Sequence, residues 1–247
     1  MVLILSSILF LLLVLTGKTR GVKTFGLFYL SIFLIIVYIF MMSLGFNAII
    51  HAVIICVLVT LVTLFGLNGV NVKTKSAFKA VMVVLLFIFL LTFFIGMNAN
   101  IQGFSAESLE NIGGYSFDLN YSMRDVFIGM YLVCIIGTVI DTSISISSAL
   151  NEVYENNKHL DKHELYESGM NIGKDILATT VNTLYFAVSS GFIGFFMWHY
   201  NASFGYILNY KSFVQEIFKL LICIIGSILV IPITSYITSR ALVKDNK

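Results

Sequence analysis

Seven apolar stretches of this chain are candidates to cross a lipid bilayer, and they restrict the fold more than any other feature. The hydrocarbon core is about 30 Å thick and a helical residue rises about 1.5 Å, so a crossing takes about 20 mostly apolar residues. The candidate spans are residues 2–16, 24–44, 48–67, 77–97, 126–148, 176–198 and 213–238. The first is short. No basic residue precedes its apolar run and no A-x-A-like site follows it, so it reads as an uncleaved helix rather than a signal peptide. Composition excludes the soluble alternative. Charged residues are 11% of the chain, against roughly 25% in soluble domains, and mean hydropathy is +0.95. The expected fold is all-α: a single integral membrane domain, residues 1–247, built as a polytopic bundle of about seven transmembrane helices in the lipid bilayer.

The basic residues orient the bundle. Lys18, Arg20 and Lys23 lie in the first connection, Lys73, Lys75 and Lys79 in or beside the third, and Lys158, Lys162 and Lys174 in the fifth; Arg240, Lys244 and Lys247 close the chain. All of these fall on one side, leaving Arg124, Lys211 and Lys219 for the other. Cytoplasmic loops carry the excess of Lys and Arg, so the N-terminus is expected outside and the C-terminus inside. Two connections are longer than a turn. An outer loop over about 98–125 is rich in Asn, Ser and Gly. A cytoplasmic connection over about 151–175 is more charged, and its Leu160, Leu165, Met170 and Ile172 among polar residues read as an amphipathic helix lying at the membrane surface.

Most ionisable residues sit in connections; Asp141 does not. It lies about 15 residues, about 22 Å, from the outer end of the fifth span. A carboxylate at that depth costs a few kcal/mol even on insertion scales, so it is expected to face the bundle interior or a wet cavity. Cys134, Gly137, Thr138, Asp141, Ser145, Ser148 and Glu152 share one helix face at steps of three and four, opposite Ile136, Val139, Ile140 and Ile146. The sixth span carries a second stripe through Asn171, Asp175, Ala178, Thr179, Asn182 and Ser189. The two spans run antiparallel, which puts Asp141 and Asn182 at similar depth and opens a carboxyl–carboxamide contact to them. The candidate proton or polar site is therefore Asp141 with Thr138, Ser145, Thr179 and Asn182, and Asp175, Asn171, Glu152 and His51 are secondary. Two readings stay open. A membrane carboxyl can carry a proton in a coupled transporter, and polar or small residues also hold helices together.

The remaining polar residues are weaker signals. His51 lies one turn after Asn47 near the outer end of its span, as a hydrogen-bonded structural histidine would. His159, His163 and Glu167 follow steps of four, which a solvated helix face explains as well as a metal site does. Glu216 and Lys219 are spaced as an intrahelical pair, and Pro232 is expected to kink the last span. The three cysteines, Cys56, Cys134 and Cys223, each sit in an apolar run and read as buried thiols. No Walker-type loop, H-E-x-x-H or G-x-S-x-G occurs, and a two-aspartate protease would need a second deep carboxylate that Asp175, at the boundary, does not supply. No enzymatic activity, cofactor, metal or nucleic-acid partner is expected.

The run GTVIDTSISISSALNEVYENNKHLDKHELYESGMNIGKDILATTVNTLYFA, residues 137–187, resembles the signature region of the YibE/F family of bacterial membrane proteins. The matching features are the G-x-x-x-D of Gly137 and Asp141, the SALNEVYE at 148–155, the GMNIGKDI at 169–176 and the Asn182-Thr183-Leu184 that follows. The resemblance implies a multi-pass protein of the bacterial plasma membrane, in a short form that associates with a larger YibE-like sister protein or with itself. The same run is similar, more weakly, to the resistance–nodulation–division superfamily and to the SecD/SecF translocation proteins, where the aspartate helix belongs to a proton relay. That similarity implies a permease or transporter subunit, proton-coupled through Asp141. The alternative is a non-catalytic subunit whose polar stripe docks the sister protein.

Overall fold

The computed structural model describes residues 1–98 and 122–245. Its helices are α1 (Val2–Gly17), α2 (Thr19–Ser43), α3 (Ala48–Asn68), α4 (Val72–Asn98), α5 (Met123–Asn156), α6 (Lys162–Trp198), the short α7 (Phe204–Asn209) and α8 (Lys211–Asp245). No strand occurs among the described residues. Six helices are long and apolar enough to cross a membrane, and α1 is a shorter apolar helix beside them. The polytopic helical bundle read from the sequence is therefore the fold. Most of the expected outer loop, with Glu107, Glu110 and Asp118, lies outside the described residues.

Local chemistry sets the breaks between helices. Asn47 caps α3 by accepting from the amides of Ile49 and Ile50 at 3.0 and 3.2 Å. Gly69, at φ 68°, ends the same helix in a conformation that a side chain would strain. Asn71 and Thr74 open α4 reciprocally, each side-chain oxygen accepting from the other's amide at 2.9 and 3.0 Å. At the start of α6, Asp161 accepts from the amides of His163 and Glu164 at 2.8 Å each, and Glu164 accepts from the Asp161 amide at 2.9 Å. The last helix runs unbroken through Pro232.

That capping box corrects one expectation. Residues 151–175 do not form a separate surface helix: residues 151–156 finish α5, and everything from Lys162 onward is the start of a single 37-residue helix that continues into the sixth span. With 34 and 35 residues, α5 and α8 are nearly as long. At about 1.5 Å per residue all three reach about 50 Å, well beyond a hydrocarbon core of about 30 Å. The apolar residues of the connection that suggested a surface helix serve packing instead. Leu165 is fully buried with Ile146, Leu150, Tyr154, Ile231 and Leu242, and Leu160 and Met170 lean on that cluster.

The larger core joins α2, α3, α4, α5 and α8 around Ile88, Ile128, Tyr131, Leu132 and Ile135. The helices α4, α5 and α8 pack mutually, α3 covers α4 and α5, and α2 and then α1 extend the layer outward. Among the described residues α6 rests on α5 and α8 alone. Its close approach to α8 depends on glycine. A Cβ on Gly169 would lie 2.8 Å from the Ser235 Cβ, and one on Gly173 would lie 3.2 Å from the Ile231 Cβ and strike its methyl branch.

Candidate functional site

The centre of α5 divides into two faces. The inward face is Val139, Thr142, Ser143, Ile146, Ser147 and Leu150, all buried. The Ser143 hydroxyl donates to the Ala77 carbonyl of α4 at 3.2 Å and lies 3.0 Å from the Thr234 hydroxyl of α8, so three helices meet on one serine. Thr142, buried beside it, and Thr238 of α8 have hydroxyls with no hydrogen-bond partner among the described residues.

The outward face carries the predicted stripe. Residues two apart are about 200° apart around a helix, so burying Ser143 turns Asp141 away from the core. Gly137, Asp141, Ser145 and Glu152 are exposed, and Thr138 is half-buried with its hydroxyl bonded to the Ile135 carbonyl at 2.9 Å. Of the two surroundings expected for Asp141, bundle interior or wet cavity, the first does not hold within one chain: it lies on the outer surface of α5. The apolar positions assigned to the opposite face, Ile136, Val139, Ile140 and Ile146, are buried in the two cores.

The second stripe is placed the same way. Leu165, Gly169 and Gly173 take the buried side of α6, and Asn171, Asp175, Thr179 and Asn182 are exposed. The threonines bond their own helix, Thr179 to the Ile176 carbonyl at 2.8 Å and Thr183 to that of Thr179 at 2.9 Å. Among the described residues no hydrogen bond joins Asp141 to Asn182, and Asp141 has no ion-pair partner. The structure therefore sets the two stripes on neighbouring, packed helices but leaves their polar groups unpaired with each other.

The secondary candidates are placed clearly. His51 is half-buried, its Nδ1 2.9 Å from the Asn47 carbonyl oxygen and its ring beside Phe46, the structural arrangement the spacing suggested. Glu152 is exposed near the end of α5. His163 pairs with Glu167 at 3.5 Å. Glu216 and Lys219 form the expected ion pair on α8, where they line a groove of 480 Å³ between α5, α6 and α8 together with Cys134, Leu184, Phe192 and Cys223.

Two features escaped the sequence reading. The Ser143–Thr234 contact had only the recurrence of hydroxyls at Ser143 and Ser147 as a signal, and nothing in the pattern chose that face over the Asp141 face. The juxtaposition of Cys134 and Cys223, with sulfurs 3.7 Å apart, had no signal, because it depends on how α5 and α8 pair.

A family model described as YibE/F-like protein matches residues 5–244, nearly the whole chain and both stripes. The chain belongs to the YibE/F-like family. No curated protein and no solved structure matches it, so the weaker similarity to the resistance–nodulation–division and SecD/SecF proteins has no support from the comparisons. For this YibE/F-like protein the motif residues separate by environment. Gly169 and Gly173 of GMNIGKDI are buried against α8, whereas Gly137, Asp141 and Asn182 are exposed. Helix packing accounts for the first group and not for the second.

Proposed function

We propose that this YibE/F-like protein is a subunit of a permease in a bacterial plasma membrane, with Asp141 as its proton carrier and the polar face of α5 and α6 covered by a second subunit. The observation that carries this reading is the position of Asp141: mid-span, exposed and without a partner among the described residues. Facing hydrocarbon, an Asp costs about 3 kcal/mol on insertion scales. A neighbouring subunit that supplies hydrogen-bonding groups, or a water-filled seam between subunits, removes that cost. Thr138, Ser145, Thr179 and Asn182 are the groups from this chain that would line the seam. The covering subunit is a YibE-like sister protein or a second copy of this chain.

The same exposure favours a second reading, in which the polar face is a docking surface only and the chain stabilises its larger partner without carrying anything itself. The two readings differ in whether water reaches Asp141. Native membranes are labelled with a hydrophobic carbodiimide over roughly pH 5 to 9, a reagent that requires a protonated carboxyl, and the modified residue is mapped by mass spectrometry. Labelling at Asp141 that fades as pH rises, and is absent in Asp141→Asn, supports the proton-carrying permease. Absence of labelling at every pH refutes it and leaves the docking subunit.

A further inference from the structure

We infer that Cys134 and Cys223 form a redox site, in which a reversible disulfide joins α5 to α8 across the groove that both line. Three observations carry this, and none depends on the role of Asp141. First, both thiols are free and their sulfurs lie 3.7 Å apart on helices distant in sequence. A disulfide needs about 2.05 Å, so the two sulfurs have less than about 2 Å to close.

Second, packing holds α5 and α8 at this separation from both sides. One turn deeper, Gly226 lets the backbones approach: a Cβ there would lie 3.0 Å from the Ile135 Cγ1 and 3.3 Å from the Val139 Cγ2. Nearer the outer end, the Tyr131 hydroxyl donates to the Gln215 carbonyl at 2.9 Å, and Phe218 lies against Phe127 and Tyr131. The thiols are therefore kept in contact by the fold and do not depend on chance encounter.

Third, the pair is reachable. Cys223 is buried, but Cys134 is only half-buried and the 480 Å³ groove leads to both. The walls contributed by Leu184, Val188 and Phe192 suit an apolar reagent, and the Glu216–Lys219 ion pair lines the same groove. A metal ion is the weaker occupant. Two thiolates would bring two negative charges into the span, and Lys219 is already paired with Glu216. No group of three or more metal-ligating side chains occurs among the described residues. The disulfide is neutral and needs no counter-charge.

The co-reactant is a lipid-soluble disulfide. The thiol of Cys134 loses its proton, and its sulfur attacks one sulfur of the reagent and expels the first reagent thiolate. The Cys223 sulfur then attacks the mixed disulfide at Cys134, loses its proton and expels the second thiolate. Two electrons pass from the cysteines to the reagent, and the two protons leave on the two expelled thiols.

The test treats native membranes holding the full chain with dipyridyl disulfide, blocks the remaining thiols with N-ethylmaleimide and maps unreduced peptides by mass spectrometry. The expected result is a Cys134–Cys223 cross-linked peptide within one chain, loss of two of the three alkylatable thiols, free Cys56, and full reversal by dithiothreitol. In Cys134→Ser the cross-link is absent while detergent-extracted protein elutes as the wild type does. Recovery of both cysteines as alkylated thiols, as two separate mixed disulfides, or in links between chains overturns the inference.

Discussion

Gly173→Val tests whether GMNIGKDI is a packing motif. Even a methyl group at Gly173 would sit 3.2 Å from the Ile231 Cβ and strike its branch, closer than ordinary contact allows. Ile231 is 4% exposed, and a β-branched residue in a helix has essentially one rotamer, so it cannot swing aside. The helices must separate instead. Overpacking of this kind costs about 1–3 kcal/mol, and valine belongs at the upper end. Removing a helical glycine returns only about 0.4 kcal/mol when valine replaces it. The net loss is about 2.5 kcal/mol, and at about 2–4 °C per kcal/mol for a chain of this size the melting point falls by about 5–10 °C. The assay is thermal unfolding of detergent-solubilised protein followed by size-exclusion fluorescence. Gly137→Val is the matched control, because no atom lies within 4 Å of a Cβ built there, and it should melt within about 2 °C of the wild type. Ile231→Ala in the Gly173→Val background should recover part of the loss. Equal melting of the two glycine variants would refute the argument that α6 reaches α8 through this glycine.

Other outcomes follow from the same geometry. Ser143→Ala removes the hydroxyl between Ala77 and Thr234 and should cost about 0.6 kcal/mol, up to about 1.7, in the same unfolding assay. Leu150→Ala empties a fully buried site where α5 extends past the span and should cost about 2–5 kcal/mol, whereas Ser145→Ala on the exposed face should change stability by less than about 0.5 kcal/mol. Asp161→Ala opens the capping box of α6 and should cost about 0.5–2 kcal/mol, read as earlier proteolysis at residues 157–161. Ser145→Leu should leave the melting point of the single chain unchanged but shift native-gel mobility of gently solubilised membranes toward the smaller species; unchanged assembly would count against a covering subunit.

Much of the candidate site was legible as a list of residues and little of it as an orientation. Asp141, Thr138 and Ser145 lie on one face of α5 because a step of three or four residues always does that. Which face turns inward is a different matter. Val139, Thr142, Ser143, Ile146 and Ser147 mix apolar groups with small hydroxyls, and so does the other face, so the pattern offers two similar stripes. In water the apolar stripe would go inward. In lipid both environments are apolar, and close packing of small side chains decides instead. That is why Ser143 and Thr234 are buried while Asp141 is exposed.

The sequence by itself determined that the chain lives in a bilayer, that it does so as helices, and where the apolar stretch of each long helix lies. Those properties depend on the free energy of moving apolar residues out of water, which is readable along the chain. Only the tertiary structure decided that residues 151–175 belong to two long helices and not to a surface segment, that α6 rests on α8 through Gly169 and Gly173, and that Cys134 meets Cys223. Each depends on contacts between residues tens of positions apart, whose separation is set by which small side chains let two helices approach.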